Sequence, residues 1–406
     1  MPFYNCHIHV FSAQCAPKRF LQVGLPAALD PIAGGVKDVL ETRVGRWISF
    51  KLAKIKWAPF KVAARYASFA SVGTMSSQQM VFENILKFYP TGSRFIVLSL
   101  NMDHMGAGPS ELTYLGQIDQ IVQLRRLYPD ACLPFLSIDP RMGTDKEILS
   151  FTQHYVGPGL PFIGIKLYPA LGYFPFDKRL DPLFQFCEEN EVPIMTHCTP
   201  SGAFFLGKLN ATLGLPETID YTDANGTLHK PPLPLPHSFP LKSNDENCDV
   251  FLKPENWSTV LAKYPKLKIC FAHMGGVGEI KKSLNGKPNW FDDVKSIMAQ
   301  YENIYTDVSY TVSVPGMWPV IKSFLDGSIT SKPWKYSYGK TPNYGNTLAN
   351  RILFGTDYFM TEQEDSEKNL AVKLSRWLLE QGLLPLHKQL TERNVEGYLQ
   401  SLFFTP

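Results

Sequence analysis

The chain has 406 residues, 44% of them hydrophobic, with 27 Phe and 18 Tyr. That composition suits a globular protein with a large buried core and excludes wholesale disorder. A net charge of +3 gives no electrostatic case for a nucleic-acid partner. The seven Cys contain no CxxC pair, and Cys198 and Cys270 sit inside apolar runs, so they read as buried free thiols in a reducing compartment. MPFYNCHIHVF lacks the basic-then-apolar pattern of a signal peptide, and no apolar run reaches a bilayer span. A cytoplasmic protein without a membrane span is expected.

In chain order, residues 3–11 form the first of eight short apolar or β-branched segments that predict buried strands. The gap at 12–77 carries eight basic residues between Lys37 and Arg65, interleaved with Trp47, Phe50, Trp57 and Phe60. It predicts a helical insertion that keeps its lysines in water, with a membrane-surface helix as the alternative. A helix follows at 78–89 behind the Ser76-Ser77 cap, then a strand at 95–100, a helix at 115–127 and a strand at 133–139. Strand 162–168, helix 181–191 and strand 193–197 continue the alternation. The gap at 200–256 contains KPPLPLPHSFP, too Pro-rich for a helix, and predicts a long loop walling a substrate site. Strands at 267–273, 303–309 and 352–357 and helices at 365–381 and 390–402 complete the chain. Strand and helix alternating eight times predicts one α/β domain over 1–406, a (β/α)₈ barrel with insertions at 12–77 and 200–256. An open doubly wound sheet is the alternative.

The chemistry is carried by strand ends. His7 and His9 are two residues apart on one strand, so both imidazoles are expected to point into the barrel while Ile8 points out to the helices. His197 ends PIMTH, His273 ends KICFAH, and Asp357 ends RILFGTD. The C-terminal strand ends of a barrel converge on one mouth, so these five would aim N and O donors at one point, suited to a divalent metal, zinc first. Each alone is an ordinary strand-end polar residue; the explanation by chance is poor for four His and an Asp together.

In FIGIKLYP, alternation points Lys166 inward. Burial beside metal ions would lower its pKa toward neutrality. A neutral amine can take up CO₂ to give a carbamate that bridges two metals; alternatively it stays an amine paired with Asp357 or a substrate carboxylate. Arg141, after the third strand, is a candidate for holding a substrate carboxylate, against a rim salt bridge. Tyr168 is a candidate substrate contact, against core packing. The Gly275–Gly278 turn does not match a P-loop, and no GxSxG elbow is present.

The order HxH, Lys, His, His, Asp on strands one, four, five, six and eight resembles the amidohydrolase superfamily. IDPR (138–141), GIKLYPALGYFP (164–175), VPIMTHCTPSG (192–202), FAHMGG (271–276), ILFGTD (352–357) and TERNVEGYL (391–399) resemble its amidohydrolase-related (amidohydrolase 2) branch of TIM-barrel metal-dependent hydrolases. KLYPA is also locally similar to the segment of dihydroorotases that bears a carboxylated lysine. The resemblance implies that His7, His9, His197, His273 and Asp357 bind one or two metal ions, with Lys166 as a carboxylated bridge. It implies a hydrolase using metal-activated water on an amide, lactone or ester of a small molecule. The charges suggest that the second metal or His197 polarises the carbonyl, that Asp357 shuttles the proton, and that His273 is a ligand, or the polariser in a mononuclear site. The alternative is a mononuclear decarboxylase or hydratase of a carboxylated small molecule. A non-catalytic barrel is the third reading. No nucleic-acid partner is expected, and a homo-oligomer stays open.

Overall fold

The computed structural model describes residues 3–20, 72, 75–200, 202–207, 218–234, 244–326, 348–363 and 366–406. All eight predicted strands form, each shorter than its apolar run: β1 Tyr4–Ile8, β2 Arg94–Leu98, β3 Cys132–Ser137, β4 Gly164–Leu167, β5 Ile194–Thr196, β8 Ile269–Phe271, β9 Ile304–Asp307 and β10 Ile352–Leu353. They pair in parallel in that order. Hydrogen bonds from Cys6 N to Phe354 O (2.8 Å), Asp357 N to His7 O (2.8 Å) and His9 N to Tyr358 O (2.6 Å) join the last strand to the first. The sheet is therefore a barrel, and the open-sheet alternative is excluded.

The helices begin where side chains satisfy free backbone N–H groups. Ser77 accepts from Met80 N (3.2 Å) at the start of α1 (Gln78–Leu86). Thr113 accepts from Gly116 N at α2 (Tyr114–Leu127), and Thr144 with Glu147 forms a capping box at α3 (Asp145–Tyr155). α4 (Asp181–Glu189) leads into β5. The predicted helical cover over 37–65 lies outside the described residues.

The insertion between β5 and β8 is more than a loop. It carries a hairpin, β6 (Tyr221–Thr222) against β7 (Leu228–His229), and helix α5 (Asn244–Leu252). Pro232 itself is extended, bridged to Thr218, and α5 begins only after the prolines end.

α6 (Trp257–Lys263), α7 (Val277–Leu284), α8 (Trp290–Gln300) and α9 (Trp318–Leu325) cover the second half of the barrel. The chain closes with α10 (Glu367–Glu380), α11 (Leu384–Lys388) and α12 (Asn394–Leu399), where a single helix was expected over 390–402. A π turn at Gln389–Arg393 precedes α12. Among the described residues no helix is long and apolar enough to cross a membrane.

The core has two parts. Ile8, Val97, Leu136, Ile165 and Phe271 pack outward against the helices. Tyr4, Cys6, Leu98, Phe135, Met195 and Cys270 fill the barrel interior, joined by Val395, Tyr398 and Leu399 of α12. Tyr398 donates to Ile194 O (2.9 Å) at the start of β5, so α12 plugs the N-terminal end of the barrel. The C-terminal strand ends remain as the mouth.

Strict alternation from Tyr4 and Cys6 inside the barrel would send His7 outward with Asn5. The β1–β2 register shifts between Asn5 and Ile8, and this irregularity turns His7 inward. Asn5 Oδ1 accepts from the freed His7 N (3.2 Å). The pairing of His7 with His9 follows from periodicity, but their inward direction depends on this bulge.

Candidate metal centre

His7, His9, His197, His273 and Asp357 all lie at the mouth, each no more than 8% exposed. Their ring orientations follow from hydrogen bonds on the far nitrogens. His9 Nδ1 donates to Leu98 O at 3.1 Å, which leaves Nε2 with its lone pair 3.4 Å from Asp357 Oδ1. His7 Nδ1 faces Asp307 Oδ2 at 2.9 Å, and its Nε2 is also 3.4 Å from Asp357 Oδ1. Buried His7 Nε2 has no hydrogen-bond partner among the described residues.

Two imidazole lone pairs and a carboxylate oxygen therefore converge, with ligand atoms within 4.8 Å of one another. The orphaned His7 Nε2 is the observation that fits this set to a cation: an unpartnered buried acceptor is costly, and a metal ion satisfies it.

Beside this set, His273 Nε2 faces His197 Nδ1 at 3.1 Å. His273 Nδ1 contacts Ser309 Oγ (2.9 Å) and Ser309 O (3.3 Å). Burial above all, with the nearby Lys166 charge, holds the His7 pKa well below its ordinary value. Burial lowers His273 too, against the opposing pull of Asp357. Both rings are thus kept neutral, the form a metal needs. Burial pushes the Asp357 carboxyl up, but the His9, His7 and His273 imidazoles that face it outweigh this and the net shift is downward.

His273 and Asp357 adopt φ of 68° and 65°, in the left-handed region that non-glycine residues avoid. Such strain persists where surrounding structure fixes it. Here His273 N is held by Asp307 Oδ1 (2.9 Å) and Asp357 N by His7 O (2.8 Å).

Lys166 points inward as expected, 1% exposed, in register between Ser137 and Met195. Its Nζ makes no hydrogen bond among the described residues. Burial lowers its pKa to about 8, against the opposing pull of Asp307 and Asp357. Tyr168 stands over His197, ring centroids 4.2 Å apart, and its hydroxyl accepts from Ala203 N (2.9 Å). Arg141 is differently placed. Its Nε and Nη2 grip Asp139 at 2.8 and 2.5 Å, and Nη2 also donates to Leu171 O. The guanidinium is thus already paired in a rim salt bridge.

Sequence reasoning missed Asp307 and Ser309. Asp307, fully buried, supports His7 through one oxygen and His273 through the other. Ser309 Oγ contacts both imidazoles and donates to Asp307. Asp307 is an acidic residue at the C-terminal end of a strand, which was the available signal. Nothing in the sequence separates a ligand from a carboxylate that orients one.

Residues 158–380 match the family model Amidohydro_2, described as amidohydrolase. No curated protein matches the chain. Among solved structures, the chain is similar to an uncharacterised TIM-barrel protein from Bordetella bronchiseptica (15% identity, 98% of each chain, TM-score 0.50). It is also similar to a probable 2-pyrone-4,6-dicarboxylic acid hydrolase from Acinetobacter baumannii (10% identity, 98% of this chain and 99% of that one, TM-score 0.51). A third is a 5-carboxyvanillate decarboxylase from Novosphingobium aromaticivorans, complexed with manganese (14% identity, 98% and 96%, TM-score 0.50). At these identities the structural likeness speaks for the fold alone. With the family model covering more than half of its length, the chain belongs to the Amidohydro_2 amidohydrolase family.

Proposed function

We propose that this protein is a metal-dependent hydrolase acting on a carbonyl-type bond, an amide, lactone or ester, of a small molecule. In this reading His7, His9 and Asp357 hold a divalent ion, with His197, His273 and carboxylated Lys166 available to a second. A donor set rich in imidazole suits zinc first, while manganese is the ion bound in the Novosphingobium decarboxylase. Once bound, the ion supplies Lewis acidity toward a carbonyl and brings the pKa of water toward neutrality.

The chain's own groups do the rest. Asp307 and Leu98 O fix the two imidazoles so that Nε2 faces the site. Asp357 takes a proton at its carboxylate and passes it to the leaving group. With two ions His273 is a ligand and with one it polarises the carbonyl, while Tyr168 lines the approach beside His197. Arg141, gripped by Asp139, serves as a rim brace.

The observation that carries hydrolysis over decarboxylation is Lys166: buried, without a hydrogen-bond partner, and lowered to about 8. An amine so placed has an appreciable neutral fraction near pH 7, which is the form that adds CO₂. One observation favours the alternative, a mononuclear decarboxylase or hydratase. His7, His9 and Asp357 form one compact set, whereas the facing His197 and His273 nitrogens lie against each other.

Metal content per chain, ¹³C NMR after growth in ¹³CO₂, and turnover of lactones, amides and aromatic carboxylates decide between them. Two ions, a carbamate signal and hydrolytic turnover are expected. One ion, a free lysine and CO₂ release would replace the hydrolase with the lyase. Absence of metal binding would sink both.

A further inference from the structure

Behind the bulge of β1 lies a buried polar network that none of the proposed ligands belongs to. Asn5 and Thr356 are fully buried, as is Glu367 at the start of α10. Asn5 Nδ2 donates to Tyr89 OH (2.7 Å), Thr356 Oγ1 (2.8 Å) and Glu367 Oε1 (3.2 Å). The same Glu367 oxygen accepts from Tyr89 OH (2.5 Å) and Thr356 Oγ1 (2.7 Å).

These contacts orient the Asn5 amide, with its nitrogen toward Glu367 and its oxygen toward the barrel. That oxygen accepts from His7 N at 3.2 Å and Thr356 N at 3.1 Å. His7 is a proposed ligand, and Thr356 immediately precedes another, Asp357. One carboxamide therefore ties the two strands together at the level where they present their donors.

A buried network of this kind is costly wherever a member is left unsatisfied, and here Glu367 Oε2 has no hydrogen-bond partner among the described residues. Simple packing would be met by apolar side chains on this face, as at Ile8 and Val97. Here the network instead occupies the backbone N–H that the register shift frees. We propose that Asn5, oriented by Glu367, is a positioning residue that sets how His7 and Asp357 are presented to the metal. The inference rests on the reading that these two residues hold the ion.

Burial pushes the Glu367 carboxyl up to about 8, so a Gln at this position keeps both its charge state at pH 7 and its accepting oxygen. The test titrates Co²⁺ into metal-stripped full-length protein. It follows affinity and the visible Co²⁺ spectrum, well below the melting temperature of each variant. Glu367→Ala is expected to lose about 10–100-fold in Co²⁺ affinity and to shift the spectrum. Glu367→Gln should stay within about threefold of the parent.

A merely structural role would lower the melting temperature of Glu367→Ala while leaving its Co²⁺ affinity and spectrum parental, and that result overturns the proposal. Should Glu367→Ala not fold, Tyr89→Phe carries the test. It removes one hydroxyl from the same carboxyl. Weakened Co²⁺ binding supports the proposal, and parental binding overturns it. A parent protein that binds no Co²⁺ would instead sink the metal reading itself.

Discussion

Replacing Lys166 with Met should make the metal-free protein more stable at pH 7 while abolishing turnover. Lys166 is 1% exposed and its ammonium has no hydrogen-bond partner among the described residues. Its pKa falls from the usual 10.5 to about 8, chiefly through burial, against the opposing pull of Asp307 and Asp357. At about 1.4 kcal/mol per pH unit, that drop means about 3 kcal/mol of penalty for the charged form in the fold. Met has similar volume and no charge, so it removes the penalty with little repacking.

The sign fixes the pH profile. Below about pH 8 both folded and unfolded chains carry the proton on Lys166, and the full penalty applies. Between about 8 and 10.5 the unfolded chain still binds the proton while the folded one has released it, so the penalty fades as pH rises. Urea melts of metal-free parent and Lys166→Met in CO₂-depleted buffer should therefore show a gap near 3 kcal/mol at pH 7 that narrows toward pH 10. A variant less stable than the parent at pH 7, or a gap that does not change with pH, would refute the argument.

Asp307→Asn should keep the fold but place an amide N–H opposite His7 Nδ1, driving the ring proton to Nε2. Calorimetric titration should then show metal affinity lowered by about 10–100-fold. Asp357→Asn should cut turnover by at least about 100-fold, because an amide cannot accept and return the proton; circular dichroism should stay parental. Gly164→Ala would bring a Cβ to 2.5 Å from the Phe135 ring. Both are inside the barrel beneath Lys166, and thermal melts should show a loss of about 1–3 kcal/mol.

The barrel was legible because its strands are buried on both faces and read as short apolar runs between turns. Strand limits were overextended wherever the chain curls at the mouth. His273 and Asp357 sit past the last paired residues, in left-handed backbone that residue alternation does not describe. The α5 helix was hidden by the prolines upstream of it, which dominate the composition of the whole 200–256 gap. Lys166 followed from alternation alone, since β4 is regular. His7 did not, because a register shift leaves no local signal. Its freed N–H is taken by Asn5, and Asn5 reads in sequence as an ordinary polar residue in a strand. Arg141 was open to two readings, and its contact with Asp139, two residues away, was not legible because the carboxylate faces the guanidinium only once the turn after β3 has formed.

His7 is where these features meet. Its backbone N–H belongs to Asn5, its carbonyl to Asp357 N, its Nδ1 to Asp307, and among the described residues only Nε2 is left unpartnered. Every other hydrogen-bonding position on the residue is committed to the protein, so its ring has little freedom to seek an alternative partner. Asp307 is in turn shared with His273 N and Ser309. A change on the Asp307 side therefore reaches two imidazoles at once, while a change on the Asn5 side reaches His7 and Thr356, the residue before Asp357. Perturbations from the two sides converge on one residue within hydrogen-bond distance, so their effects on metal affinity should not add. The combined Asp307→Asn and Glu367→Ala variant should lose less affinity than the two single losses multiplied, because once the His7 ring has turned its lone pair away from the mouth, further displacement of its backbone has little left to disrupt.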